Sequence, residues 1–148
     1  MDLESFLQGL SEVPLTAFQY TEFVPQIKEL KIPENTFYEG NPFFESNIEK
    51  IVFPASHRTV DVENCSKFRV IVFEEGVEQL CGGDSRNKSL SDYDFEDMEI
   101  HFPMSINTIE ASFINCRLFC PKGSYAETFF TSIRENDTCR IDNEIILV

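Results

Sequence analysis

The chain has 148 residues, 42% of them hydrophobic, with 15 Phe and no Trp, which is enough for one domain with a sizeable buried core. Twelve Lys and Arg stand against 26 Asp and Glu, giving a net charge of −14 and a sequence pI near 4.4. That balance argues against direct binding to nucleic acid or an anionic membrane surface and permits a protein partner with a basic surface.

The first residues, MDLESFLQGLSEV, are acidic where a secretory leader needs a basic start, and no apolar run reaches the length of a membrane span. The expected location is therefore cytoplasmic, unless an export signal has been removed. Leu3, Phe6, Leu7 and Leu10 fall on one helical face, with Asp2 and Glu4 in the first turn, and Pro14 stops that helix. Residues 1–26 read as a helical cap over the open end of a repeat array that begins at residue 27, with docking of a partner as the rival reading.

From residue 27 the chain repeats. Pro33, Pro54, Glu74, Pro103 and Pro121 can be set in line, at intervals of 21, 20, 29 and 18 residues. Immediately before these markers stand Ile32, Phe53, Phe73, Phe102 and Cys120. Three before them stand Leu30, Ile51, Ile71, Ile100 and Leu118. Two apolar columns at a period of two predict short parallel strands that share one interior. Ile106, Ile109 and Phe113, at spacings of three and four, predict a tight helical or irregular turn on the outside of the unit. A unit this small cannot bury its own apolar face and must stack on its neighbours. The segment 34–47 reads as a degenerate first turn filled by Phe37, Phe43 and Phe44. The 29-residue interval is long by about eight residues. Its excess, at 81–98, reads as a projecting acidic loop.

The stretches IVFPASHRTVDVENCSKF, FEEGVEQL and IHFPMSINTIEASFINCRLF resemble the leucine-rich repeats of the BspA-like (Treponema-type) class, whose units run as IxIPxSVxxIxxxAFxxC. CPKGSYAETF, at 120–129, is similar to the closing segment of such arrays. The resemblance covers about 27–130. It implies a leucine-rich-repeat solenoid with a short parallel β-sheet on its concave face, used mainly for binding other proteins, and it carries no catalytic residue. With irregular or short helical turns outside and a helical N-terminal cap, the expected organisation is a cap at 1–26, repeats at 27–130 with the acidic insertion at 81–98, and a C-terminal cap at 131–148. In that last segment Ile145–Val148 reads as a final strand shielding the open edge.

The chemistry-bearing residues point to recognition rather than catalysis. His57 and His101 are the two histidines, and no nucleophile or metal-binding signature accompanies either, so both read as surface residues. Cys65, Cys81, Cys116, Cys120 and Cys139 are an odd number with core or turn positions among them, which favours reduced thiols. Cys116 and Cys120 lack the second pair that zinc needs, and the carboxylates at 92–97 lack the glycine of a calcium loop, so no metal or cofactor is expected. Two binding surfaces remain. The outward strand positions Val52, Val70, Val72, His101 and Phe119 form an apolar strip rimmed by charge. The acidic stretch Asp92, Tyr93, Asp94, Phe95, Glu96, Asp97 and Glu99 interleaves carboxylates with aromatics. The first predicts a non-catalytic protein-binding module. The second supports an alternative: an acidic, phosphate-mimicking inhibitor, of phage or mobile-element type, that blocks the basic nucleic-acid channel of a defence nuclease such as a CRISPR effector.

Overall fold

A computed structural model describes residues 12–13, 28–35, 37–38, 48–61, 68–81, 95–136 and 142–148. In chain order its elements are β1 (Glu12–Val13), β2 (Glu29–Lys31), β3 (Phe37–Tyr38), β4 (Lys50–Phe53), β5 (Thr59–Asp61), β6 (Val70–Phe73), β7 (Gln79–Cys81), β8 (Phe95–Glu96), β9 (Glu99–His101), β10 (Thr108–Ile109), β11 (Phe113–Ile114), β12 (Arg117–Cys120), the helix α1 (Tyr125–Asn136) and β13 (Glu144–Leu147). Every strand pairing among the described residues is parallel. The largest sheet has six strands in the order β13-β12-β9-β6-β4-β2.

The alternation of aliphatic and polar or β-branched residues places these strands in register. Leu30 lies beside Ile51, Ile51 beside Ile71, Ile71 beside Ile100, Ile100 beside Leu118 and Leu118 beside Ile145. All but Ile145 in this row are fully or almost fully buried. The next inward row stacks aromatics: the Phe53 and Phe73 rings are 5.6 Å apart, Phe73 and Phe102 5.8 Å, and Phe102 and Phe130 of α1 5.3 Å. Phe130 belongs to a helix, not a strand. The helix thus helps to close this end of the interior by adding a ring against Phe102, since the equivalent β12 position holds only the small Cys120.

Two expectations of the sequence are corrected by the structure. The leucine-rich-repeat solenoid with helical or irregular turns outside gives way to a stack of parallel β-sheets, because the outer segments are themselves strands. β10, β7 and β5 form a second parallel sheet, and β11 pairs with β8 in a further one. The spacing of Ile106, Ile109 and Phe113 comes from a chain that turns corners. Ile106 fills a bend, Ile109 lies on β10 and Phe113 on β11, and all three are buried. The second correction concerns the cap. The described element within 1–26 is a strand, β1, paired with β3, and the described helix stands at the other end of the chain. The predicted helical face at Leu3, Phe6, Leu7 and Leu10 lies outside the described residues, as do Phe43, Phe44, Cys65 and Cys139.

The turns after the main strands are tied from coil to coil. Glu34 accepts hydrogen bonds from the backbone N–H groups of Ala55 and Ser56, at 3.2 and 3.0 Å, and the Asn35 N–H donates to the Ser56 hydroxyl at 2.8 Å. The same device recurs one pair later. Glu75 accepts from Met104 and Ser105, at 2.6 and 3.2 Å, and the Gly76 N–H donates to the Ser105 hydroxyl at 2.8 Å. Hydrogen bonds to Glu34 from the Ser56 hydroxyl, and then from the Ser56 and Ala55 backbone N–H groups, hold its carboxyl below its ordinary pKa, although burial acts the other way. Among the described residues, no helix is long and apolar enough to cross a membrane, which says nothing of spans made from strands.

Candidate functional site

In a parallel, in-register sheet, equivalent side chains of successive strands stand side by side, about 4.8 Å apart, on alternating faces. Opposite the buried row, the six-stranded sheet therefore presents two outward rows. One runs Glu29, Lys50, Val70, Glu99, Arg117, Glu144. The other runs Lys31, Val52, Val72, His101, Phe119, Ile146. Val52, Val70, Val72, His101, Phe119 and Ile146 are half-buried, so each keeps part of its surface open.

The register sets the chemistry of this face. Because β9 and β12 align His101 with Phe119, their rings stack with centroids 4.2 Å apart and planes 6° from parallel. Such a contact contributes about 0.5–1.5 kcal/mol beyond its buried area and holds the two rings face to face. Glu99, on the other outward row, is a hub. Its carboxylate contacts His101 Nε2 at 3.0 Å and Arg117 Nη1 at 3.2 Å. Arg117 Nε also faces Glu144 at 3.6 Å, and its guanidinium lies 5.5 Å from the Phe119 ring centroid. At the far end Lys31 pairs with Glu74 at 3.4 Å. Exposed pairs of this kind add about 0–1 kcal/mol each, so their main effect is to fix side-chain positions.

Charge along these two rows is balanced, with Glu74 a further carboxylate at the Lys31 end. Glu29, Glu99 and Glu144 are three carboxylates; Lys31, Lys50 and Arg117 are three cations, in a chain whose net charge is −14. The excess acid therefore lies elsewhere. Part of it flanks the second sheet, where Asp61 and Glu110 stand near half-buried Cys81. Burial first, then Glu110 and Asp61, push that thiol's pKa up. Thr59 Oγ1 donates to Gln79 Oε1 at 3.1 Å on the same sheet, so this surface is polar rather than apolar.

The predicted strip is brought together as one surface: Val52, Val70, Val72, His101 and Phe119 occupy adjacent positions on it. The predicted acidic stretch is not. Phe95, expected as an exposed aromatic anchor, is fully buried on β8 and stacks on Phe113 at 4.9 Å. Met98 is buried as well. Asp97 adopts a left-handed backbone, φ 57°, and its carboxylate accepts from the Asn115 side-chain amide at 2.5 Å; Asn115 is itself left-handed at φ 53°. Asp and Asn tolerate this conformation better than most residues, so both serve as turn formers. Glu99 belongs to the strip's outward face, and Glu96 is exposed. Asp92, Tyr93 and Asp94 lie outside the described residues.

Sequence reasoning missed Ile146 and Glu144, which extend both rows onto a sixth strand. The strand is legible in the sequence, but no repeat is present there to set its register. The segment FEDMEI also mirrors FINCRL, with Phe95 and Phe113, Met98 and Cys116, and Ile100 and Leu118 in equivalent places. That match is a readable sign that Phe95 is a core residue. His57 packs edge-on to Phe53 at 6.5 Å within the stack and takes no place on the outward face. No family model matches the chain, and no curated protein or solved structure matches it.

Proposed function

We propose that this chain is a non-catalytic protein-binding module that docks its partner on the outward face of the six-stranded sheet. The observation that carries the reading is the continuous line Val52, Val72, His101, Phe119 and Ile146, flanked by three carboxylates and three cations that offset one another. An apolar strip with a polar, charge-balanced rim is the usual anatomy of a protein interface. The stacked His101–Phe119 pair presents preorganised aromatic area, so less contact energy is spent on ordering side chains. A row of carboxylates imitating phosphates is the competing idea. It draws support from the net charge, but Phe95 is buried and Asp97 is engaged with Asn115.

The test uses the intact chain as bait, with retained proteins identified at low and at high salt. Val72→Asp is expected to abolish retention of the specific partner, because it places a desolvated charge mid-strip. Glu96→Gln with Asp97→Asn is expected to leave retention within about twofold. A partner lost with salt and with the acidic substitutions, yet kept by Val72→Asp, would overturn the proposal in favour of charge mimicry.

A further inference from the structure

The six-stranded sheet stops at β13, and among the described residues nothing pairs with that strand's outer edge. The ladder shows which groups are left. The Glu144 N–H donates to the Cys116 carbonyl and the Val148 N–H to the Cys120 carbonyl, while the Val148 carbonyl accepts from Lys122. Glu144, Ile146 and Val148 thus turn their backbone groups inward to β12. By alternation Ile145 and Leu147 turn theirs outward. The same end is apolar and open, with Leu147 43% and Val148 66% exposed. An open parallel edge of this kind is a template for strand addition.

We infer that β13 pairs antiparallel with β13 of a second copy of this chain, about a two-fold axis passing through Ile146. Self-complementarity selects this occupant. Centred on Ile146, the register sets Ile145 against Leu147 of the second copy, as a pair whose outward N–H and C=O groups face each other. Ile146 then meets its own counterpart on the outward face, and Glu144 meets the exposed side chain of Val148. The head-to-tail alternative adds the β2 edge of a second copy in the register of the existing sheet. It sets Glu144 against Glu29 and Ile146 against Lys31, a like-charge contact and an apolar–charged mismatch. The antiparallel arrangement also closes after two copies, whereas the head-to-tail one propagates.

Pairing through Ile146 joins the Val52–Phe119 strips of the two copies end to end on one side of a twelve-stranded sheet. The self-association itself does not rest on the protein-binding proposal, and either can fail without the other. Because a single short strand contributes the contact, the dimer is expected to be weak, with Kd on the order of 100 µM.

Sedimentation equilibrium of the intact chain, from low micromolar to millimolar concentration, tests this inference directly. The expected result is a monomer–dimer equilibrium that does not grow further. Leu147→Pro removes an N–H that points away from β12, so the internal ladder keeps all its bonds; it is expected to weaken dimerisation at least about tenfold. Leu147→Lys does the same by placing charge on the edge, and it serves as the second variant should proline disturb the strand. A monomer at every concentration would overturn the inference. So would mass that keeps rising past the dimer, or a dimer indifferent to both substitutions.

Discussion

Gly76→Ala isolates the tightest approach between two coils. Gly76 has φ +111°, and a Cβ placed on it would lie 2.5 Å from the Ala55 Cβ, 3.0 Å from the Ala55 Cα and 3.2 Å from the Ala55 carbonyl oxygen. The substitution carries two costs, and they can be separated. Holding an alanine at that backbone angle costs about 1–3 kcal/mol. Forcing two methyl groups to less than their contact distance costs about 1–3 kcal/mol more, since neither atom sits on a flexible side chain that could swing away. The sum is roughly 2–6 kcal/mol, a large part of a typical domain's stability of about 5–15 kcal/mol. Urea denaturation followed by circular dichroism measures it for Gly76→Ala, for Ala55→Gly and for the double variant. Removing the Ala55 methyl is expected to recover about 1 kcal/mol or more of the Gly76→Ala loss, leaving the backbone cost behind. A Gly76→Ala protein within about 0.5 kcal/mol of the parent would refute this close approach of the two coils. So would a loss of the same size with and without the Ala55 methyl.

Two further substitutions probe the interior. Phe102→Ala should cost about 3–5 kcal/mol in the same urea experiment, because its ring touches Phe73, Phe113 and Phe130 together and their places are held from three different elements. A loss below about 1 kcal/mol would mean that the aromatic file is not a packed core. Cys120 gives a pH signature. Burial, and secondarily Glu127, push its thiol from an ordinary 9.0 to about 12. The unfolded chain then loses the thiol proton before the folded one does, so this thiol's contribution to stability is level below pH 9 and falls as pH climbs from there towards 12. Cys120→Ala should flatten part of that alkaline slope even if it lowers stability overall, and an unchanged slope would contradict the assignment.

The inner half of each coil was legible because its signal is the strongest a short strand can give. Ile51-Val52-Phe53 and Ile71-Val72-Phe73 alternate about a marker, and repetition at about 20 residues fixed their mutual register without any structure. The outer half was not. Its strands hold only two or three residues, as at Thr59–Asp61 and Thr108–Ile109, and one buried position per strand cannot distinguish a strand from a turn of helix. Phe95 was misread for a related reason. Its flanking Asp94, Glu96 and Asp97 suggested a solvated loop, whereas pairing of β8 with β11 turns this one side chain inward while Glu96 beside it stays exposed. The outward strip was readable as a line of positions. Its hydrogen-bonded hub was not, because Glu99 meets both His101 and Arg117 only when two strands separated by a whole coil lie side by side.

In-register stacking also explains why the proposed binding face is nearly neutral on so acidic a chain. Equivalent positions become neighbours about 4.8 Å apart, so a row of identical charges would repel along its whole length. The row Glu29, Lys50, Val70, Glu99, Arg117, Glu144 avoids this by alternating sign wherever it is charged, and the bridges from Arg117 to Glu99 and Glu144 result from that alternation. A partner approaching from beyond the Debye length, about 8 Å at physiological salt, is screened from most of the net charge. Once seated, it meets a surface whose charges largely offset one another. Salt should therefore act mainly on the rate of arrival, while the lifetime of the complex depends on the valine and aromatic strip. A partner whose dissociation, rather than association, quickens steeply with salt would place its contacts among the unbalanced carboxylates of the other surfaces instead.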